Sequence, residues 1–191
     1  MEQPKSCGES AEPAQPQLRG FWSLILTQFE GAFNDNALKM VVTFVGLNMA
    51  LSQGLHDALV PLTAGLFSLP FLLFSMAGGF LADRFSKRTV TIGLKVLEIL
   101  IIGFAIAGLV LGSLPMGLAA IFLMGAQSAF FGPSKYGLLP ELLPGRRLSW
   151  GNGVLELGTF LAIITGMAAG AVLYNRFKGQ EAWSGAVMIG L

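Results

Sequence analysis

The sequence predicts an all-α integral membrane protein, because it is apolar, carries little charge and contains several long apolar runs. Hydrophobic residues make up 53% of the 191-residue chain and charged residues 12%, about half the charged fraction of a typical soluble domain. A soluble fold of this size has too little interior to bury so much apolar surface. The composition therefore argues against a soluble enzyme, a nucleic-acid-binding domain and a disordered chain.

Five apolar runs have about the 17 to 25 residues that a membrane span needs. They are Phe21 to Leu47, Leu59 to Ala82, Val90 to Leu111, Pro115 to Phe131 and Val154 to Leu173. A sixth run begins at Trp183 and reaches only Leu191, so the sequence is expected to stop inside a helix. We therefore predict a flexible cytosolic tail over residues 1–20 and a partial transmembrane bundle over residues 21–191, with five complete spans and a truncated sixth.

The basic residues predict the orientation of these spans. With the N-terminus in the cytosol, the loops opposite the cytosol hold only Arg176 and Lys178. The cytosolic segments then hold Lys5, Arg19, Arg84, Lys87, Arg88, Lys135, Arg146 and Arg147. Cytosolic loops of membrane proteins are enriched in Lys and Arg, so we expect a multi-pass protein with a cytosolic N-terminus.

The first span is polar near its midpoint. Glu30, Asp35 and Lys39 lie there, at a combined insertion cost of roughly 8 to 10 kcal/mol, against roughly 4 to 7 kcal/mol returned by the large apolar residues of the span. This helix therefore cannot face lipid on all sides.

Two interpretations of this polar stretch are open. Asp35 and Lys39 lie at i and i+4, so they could form a neutralised pair, with Asn34 and Asn36 hydrogen-bonding between helices. The interpretation that we favour is a substrate-binding surface at the middle of the membrane. Its candidate residues are Glu30, Asn34, Asp35, Asn36 and Lys39. For Lys95 and Glu98, at i and i+3 in the third span, a structural role is favoured, with Lys95 extending toward the cytosolic interface.

The loop after the second span carries the most specific motif. The run from Gly79 to Arg88 reads Gly-Phe-Leu-Ala-Asp-Arg-Phe-Ser-Lys-Arg. It resembles the loop signature of the major facilitator superfamily, with Ser86 in place of the usual Gly. The resemblance implies the N-terminal half of a twelve-helix transporter that works by alternating access, with a C-terminal half as its partner. The residues that it implies as a conformational gate are Gly79, Asp83, Arg84, Lys87 and Arg88.

Two further segments resemble the bacterial lysophospholipid transporter family. One runs from Phe33 to Lys39 and the other from Phe130 to Pro144. The resemblance implies a transporter of the bacterial inner membrane that moves an amphiphile, lysophospholipid. One alternative is the membrane domain of a fusion with a lysophospholipid acyltransferase and an acyl-carrier-protein synthetase. The other is a proton-coupled efflux transporter for small molecules, which Gln127 disfavours because proton antiporters carry Arg there.

The segment after the fourth span is rich in Gly and Pro. Gly132, Pro133, Pro140 and Pro144 are expected to interrupt the helix, leaving a segment either at the membrane interface or packed under the bundle. The candidate residues for contact with membrane lipids are Lys135, Tyr136, Arg146 and Arg147.

Catalytic and metal-binding residue types are scarce. The chain has one histidine, His56, and one cysteine, Cys7, so neither a His-based triad nor a Cys/His metal cluster can form. We therefore expect no catalytic residues, no metal and no cofactor, and a transporter rather than an enzyme.

Overall fold

The structure is a computed structural model that describes residues 17–49 and 51–176, apart from the side chains of Ala82 and Asp83. These residues form helices and connecting turns without a β-strand. The five α-helices are α1 (Leu18–Leu47), α2 (Gln53–Arg84), α3 (Lys87–Val110), α4 (Leu114–Leu142) and α5 (Leu148–Arg176), with a 3-10 turn at Gly145–Arg147. The all-α prediction is confirmed. Most of the predicted tail, and the predicted sixth run from Trp183, lie outside the described residues.

Four of the described helices are long and apolar enough to cross a membrane. They cover Gln53–Leu81, Lys87–Val110, Leu114–Leu142 and Gly145–Arg176. Helix α1 is not among them, although its 30 residues extend about 45 Å, more than the ~30 Å hydrocarbon core. Its charged residues account for this difference. Helix α1 packs chiefly on α5 and also contacts α4 and α2, in agreement with the prediction that it cannot face lipid on all sides.

The sequence predicts that the helix is interrupted after the fourth span. This prediction is wrong for Gly132, Pro133 and Pro140, because α4 is continuous as far as Leu142. Helix α4 continues through Pro133 and Pro140, as α2 continues through its own two prolines. Membrane helices tolerate proline because neighbouring helices and local adjustments satisfy the freed backbone groups. The helix ends where Leu143 adopts an extended conformation (φ −126°, ψ 139°), which is what the residue before a proline, here Pro144, favours.

Glycines bring the helix backbones together at two interfaces. A Cβ atom on Gly166 or Gly170 of α5 would lie 2.5 Å or 2.6 Å from a carbonyl oxygen of α1. Gly78 of α2 faces the carbonyl oxygen of Ala129 on α4 in the same way, whereas Gly79 faces open space. Helix α5 is therefore held against α1, and α2 against α4, by direct backbone contact.

Two apolar clusters form the core of the bundle. One joins the second halves of α1 and α3 to the first half of α4. The other joins the start of α1 and α3 to the end of α4 and the start of α5. Between them lies a polar layer formed by the middle of α1, α3 and α4. The fold therefore places the polar stretch of α1 at mid-depth, where it contacts other helices.

We expect Gly166→Ala to destabilise the contact between α1 and α5. The added methyl group would meet the carbonyl oxygen of Phe33, and overpacking of this kind costs about 1 to 3 kcal/mol. Thermal unfolding of the detergent-solubilised protein measures the effect. Gly153→Ala, on the same helix, is the matched control, because its Cβ atom would have no neighbour within 4 Å. Equal melting temperatures for the two variants would contradict the packing argument.

Candidate functional site

A charged cluster ties α1 to α3 in the polar layer. The ammonium group of Lys95 donates to Glu30 Oε2 at 2.5 Å and to Glu98 Oε2 at 2.7 Å. Glu98 is 1% exposed. These bonds agree with the structural role that the sequence favours for Lys95 and Glu98, but the predicted extension of Lys95 toward the interface is wrong. Two carboxylates inside the bundle attract the ammonium group more strongly than the interface does.

Two amides complete this cluster. Asn34 Nδ2 donates to Glu30 Oε1 at 2.9 Å and to Glu98 Oε1 at 3.2 Å. Gln127 Nε2 of α4 lies 3.4 Å from Glu98 Oε2 and from the carbonyl oxygen of Leu94. The cluster therefore connects three helices. Glu30 and Asn34, two of the five predicted substrate-binding residues, take part in these links.

Asp35 is bonded to Ser128 and not to Lys39. The Ser128 hydroxyl of α4 donates to Asp35 Oδ2 at 2.6 Å, while the buried Asp35 Oδ1 has no hydrogen-bond partner. The alternative in which Asp35 pairs with Lys39 is wrong, because the four salt bridges of the described residues do not include it. The Lys39 ammonium group instead lies 4.1 Å from the ring centroid of Phe67 on α2. The packing of α2 and α4 against α1 offers each group a closer partner.

Asn36 is bonded within its own helix. Its Nδ2 donates to the carbonyl oxygen of Ala32 at 2.7 Å, so the interhelical bond considered for it does not form. Asn34 does make such a bond, to Glu98.

The polar layer opens into a cavity of about 570 Å³ bounded by residues of all five helices. Two of the predicted site residues, Asp35 and Asn36, line it. Glu30 and Asn34 line a separate groove of about 460 Å³ on α1. Polar residues that the predicted site lacks also line the cavity: Lys95, Glu98, Gln127, Ser128 and Thr159. Apolar side chains form much of the wall, among them Phe67, Phe71, Phe131, Pro133 and Ile163.

The loop between α2 and α3 has contacts within the same bundle. Lys87 forms a salt bridge with Glu141 and donates to the carbonyl oxygen of Gly137 at 3.0 Å, both on α4. Ser86 caps α3, since its hydroxyl accepts from the Thr89 N–H at 3.2 Å, which gives Ser a role at the position where the signature has Gly. The guanidinium group of Arg84 lies 5.7 Å from the Phe80 ring centroid.

Some of the remaining gate and interface candidates are exposed, whereas two of them line the cavity. Arg88, Arg146 and Arg147 are exposed, and the side chain of Asp83 lies outside the described part of the chain. Lys135 and Tyr136 do not lie on an interrupted surface segment. They belong to continuous α4 and line the cavity.

The described residues contain no group of three His, Cys, Asp or Glu side chains arranged to hold a metal ion. The arrangement instead offers buried polar and charged groups beside aromatic side chains, which suits binding of a ligand that has both a charged and an apolar part. Together with the long apolar helices, these features define a multi-pass membrane protein with a cavity that has both polar and apolar walls.

Comparison with known proteins identifies the family. Residues 31–191 match the sequence profile of the Major Facilitator Superfamily, and the chain belongs to that superfamily. It is also 35% identical over 155 residues to proteins named lysophospholipid transporter LplT from Salmonella newport, Salmonella heidelberg and Salmonella agona. Each match covers 81% of this chain and 36% of the relative, so the chain spans little more than a third of the relatives' length. No solved structure gave a significant match.

We expect Lys95→Met to destabilise the bundle strongly. Removal of the ammonium group leaves Glu30 and Glu98 facing each other without a counter-ion, and loss of one partner of such a buried pair costs roughly 3 kcal/mol or more. Thermal unfolding in detergent measures the loss. The triple variant Lys95→Met, Glu30→Gln, Glu98→Gln is the matched control and should recover much of the stability, because its cluster carries no charge. A triple variant no more stable than Lys95→Met would contradict this account.

Proposed function

We propose that the protein is a secondary transporter that moves lysophospholipid across the bacterial inner membrane by alternating access. The observation that carries the proposal is the cavity at mid-depth, where Asp35 and the aromatic residues Phe67 and Phe71 line one space. A lysophospholipid has a charged headgroup and a single acyl chain, so its binding site needs both polar and apolar walls. The names of the 35% identical relatives support the same substrate.

The headgroup would bind at Asp35, which lines the cavity, and at Lys39, which lies one turn further along α1 outside the cavity lining. These opposite charges lie one helical turn apart, yet they form no direct salt bridge: Asp35 accepts from Ser128, and Lys39 lies over Phe67. A phosphate group can contact the Lys39 ammonium group while a headgroup amine contacts Asp35 Oδ1. The second contact would also satisfy a buried oxygen that has no hydrogen-bond partner.

The other predicted binding residues would support this pair. Glu30 and Asn34 are engaged with Lys95 and Glu98, so their part is to fix the position of α1 relative to α3. Asn36 lines the cavity beside Asp35 and can contact the headgroup with its side-chain oxygen. The acyl chain would lie along the apolar wall.

We propose further that this bundle is the N-terminal half of the transporter and that a C-terminal half supplies the other wall of the cavity. The end of the bundle at which α1 begins, here called the basic end, would face the cytosol. It carries Arg19, Arg84, Lys87, Arg88, Arg146 and Arg147, and basic residues favour the cytosolic side. Gly79, Asp83, Arg84, Lys87 and Arg88 would form its gate, and Arg146 and Arg147 would contact anionic lipids.

We expect Asp35→Asn to lower the transport rate by about tenfold to a hundredfold, because the charge-assisted contact to the headgroup amine is lost. The measurement is the uptake of acyl-labelled lysophosphatidylethanolamine into liposomes that contain the complete transporter. Thr43→Val is the matched control. Thr43 is a polar residue of α1 whose hydroxyl bonds to the carbonyl oxygen of Lys39 and to Thr63, away from the cavity lining. An unchanged rate in Asp35→Asn, or an equal loss in both variants, would count against the proposed site.

A further inference from the structure

We propose that Lys135 and Tyr136, which line the same cavity, and Glu156, which accepts from the Tyr136 hydroxyl, form a second headgroup-binding station nearer the basic end than Asp35. This inference rests on the proposed function and adds to it a site that the transported headgroup occupies before or after the one at Asp35. The station consists of residues from two helices, α4 and α5.

Lys135 and Tyr136 lie between the Asp35 site and the basic end of the bundle. Helix α4 runs toward the basic end, where its Leu142 carbonyl oxygen accepts from the Gln17 N–H at the start of α1. Tyr136 lies eight residues beyond Ser128, the partner of Asp35, which is about 12 Å along the helix. Lys135 and Tyr136 both line the cavity, as do Asp35 and Ser128. A ligand can therefore pass from one site to the other without leaving the cavity.

The side chains of Lys135, Tyr136 and Glu156 can bind both a phosphate group and an amine. The Tyr136 hydroxyl donates to Glu156 Oε1 at 2.6 Å, and the Lys135 ammonium group lies 4.8 Å from the Tyr136 ring centroid. Lys135 takes part in none of the salt bridges within residues 17–49 and 51–176, so its N–H donors remain available to a phosphate group. Glu156 and the face of the Tyr136 ring are both suited to an ammonium group.

The two sites therefore share one pattern. Each places a lysine close to an aromatic ring and a carboxylate that accepts a hydroxyl hydrogen bond: Lys39, Phe67, Asp35 and Ser128 in one, and Lys135, Tyr136 and Glu156 in the other. A headgroup with a phosphate and an amine can make the same pair of contacts at both. Similar contacts at the two sites would let the headgroup move about 12 Å without a large loss of binding free energy.

The hydrogen bond between Tyr136 and Glu156 also joins two helices that otherwise touch little. Helices α4 and α5 each pack mainly on other partners, α2 and α1 respectively. A headgroup amine that binds Glu156 competes with the Tyr136 hydroxyl for the carboxylate. Occupation of the station thus replaces a direct link between α4 and α5 by a link through the ligand.

The test compares two lysolipids that differ in the amine. Uptake of lysophosphatidylethanolamine and of lysophosphatidylglycerol is measured in liposomes containing the complete transporter. We expect Glu156→Gln to lower uptake of the first by about tenfold and to leave the second within twofold. Lys135→Gln should lower both, because both carry a phosphate. Tyr136→Phe removes the hydroxyl that competes for Glu156 and keeps the ring, so it should raise the uptake of lysophosphatidylethanolamine.

The controls separate this inference from the proposed function. Thr165→Val changes a polar residue of α5 that bonds within its own helix, to the carbonyl oxygen of Leu161, and should change neither uptake. Equal effects of Glu156→Gln on the uptake of the two lysolipids, or no effect on either, would overturn the station. The proposed transport function would still stand in that case, because the wild-type protein would still take up lysolipid. Equilibrium binding of lysophosphatidylethanolamine to the solubilised protein tests the station even if the wild type transports neither lipid. Wild-type binding that Glu156→Gln leaves unchanged would reject it.

Discussion

The arrangement of the whole bundle depends on the need to neutralise charge inside a membrane. Lys95 lies between Glu30 and Glu98, and its ammonium group bonds to both carboxylates. Because no water replaces such contacts in the bilayer core, the partners must come from within the protein. One lysine thereby fixes α3 against α1, and Gln127 extends the link to α4. Helix α1 can remain at the centre of the bundle despite its polarity because of this cluster.

The charged groups of the polar layer, together with Lys135 nearer the basic end, fall into two sets with different uses. Glu30, Lys95 and Glu98 are bound to one another and leave little capacity for a ligand. Asp35, Lys39 and Lys135 are held by a hydroxyl group or an aromatic ring, contacts that fix position without cancelling the charge. Proteins that bind charged ligands in apolar surroundings need both sets. The first stabilises the site, and the second retains electrostatic attraction for the ligand.

Sequence patterns predict contacts within a helix far better than contacts between helices. The proximity of Glu30 and Asn34 follows from helical spacing and is observed, and the packing role of Gly166 and Gly170 follows from their size. The bond between Asp35 and Ser128 depends on how α4 packs against α1. The sequence around a serine in an apolar helix does not indicate which residue of another helix it will contact. The helix break predicted at Pro133 is wrong for another reason. Proline breaks helices in water, whereas inside this bundle the neighbouring helices can satisfy the backbone groups that it frees.

The salt bridge between Glu30 and Lys95 has a consequence for biosynthesis. The two residues are 65 positions apart in the chain. At about 5 to 20 residues per second, Glu30 is made roughly 3 to 13 seconds before its counter-ion has been synthesised. During that interval the insertion balance of α1 is unfavourable, so the helix cannot settle alone in lipid. Helix α1 thus acquires its stable place in the membrane only after α3 has followed it.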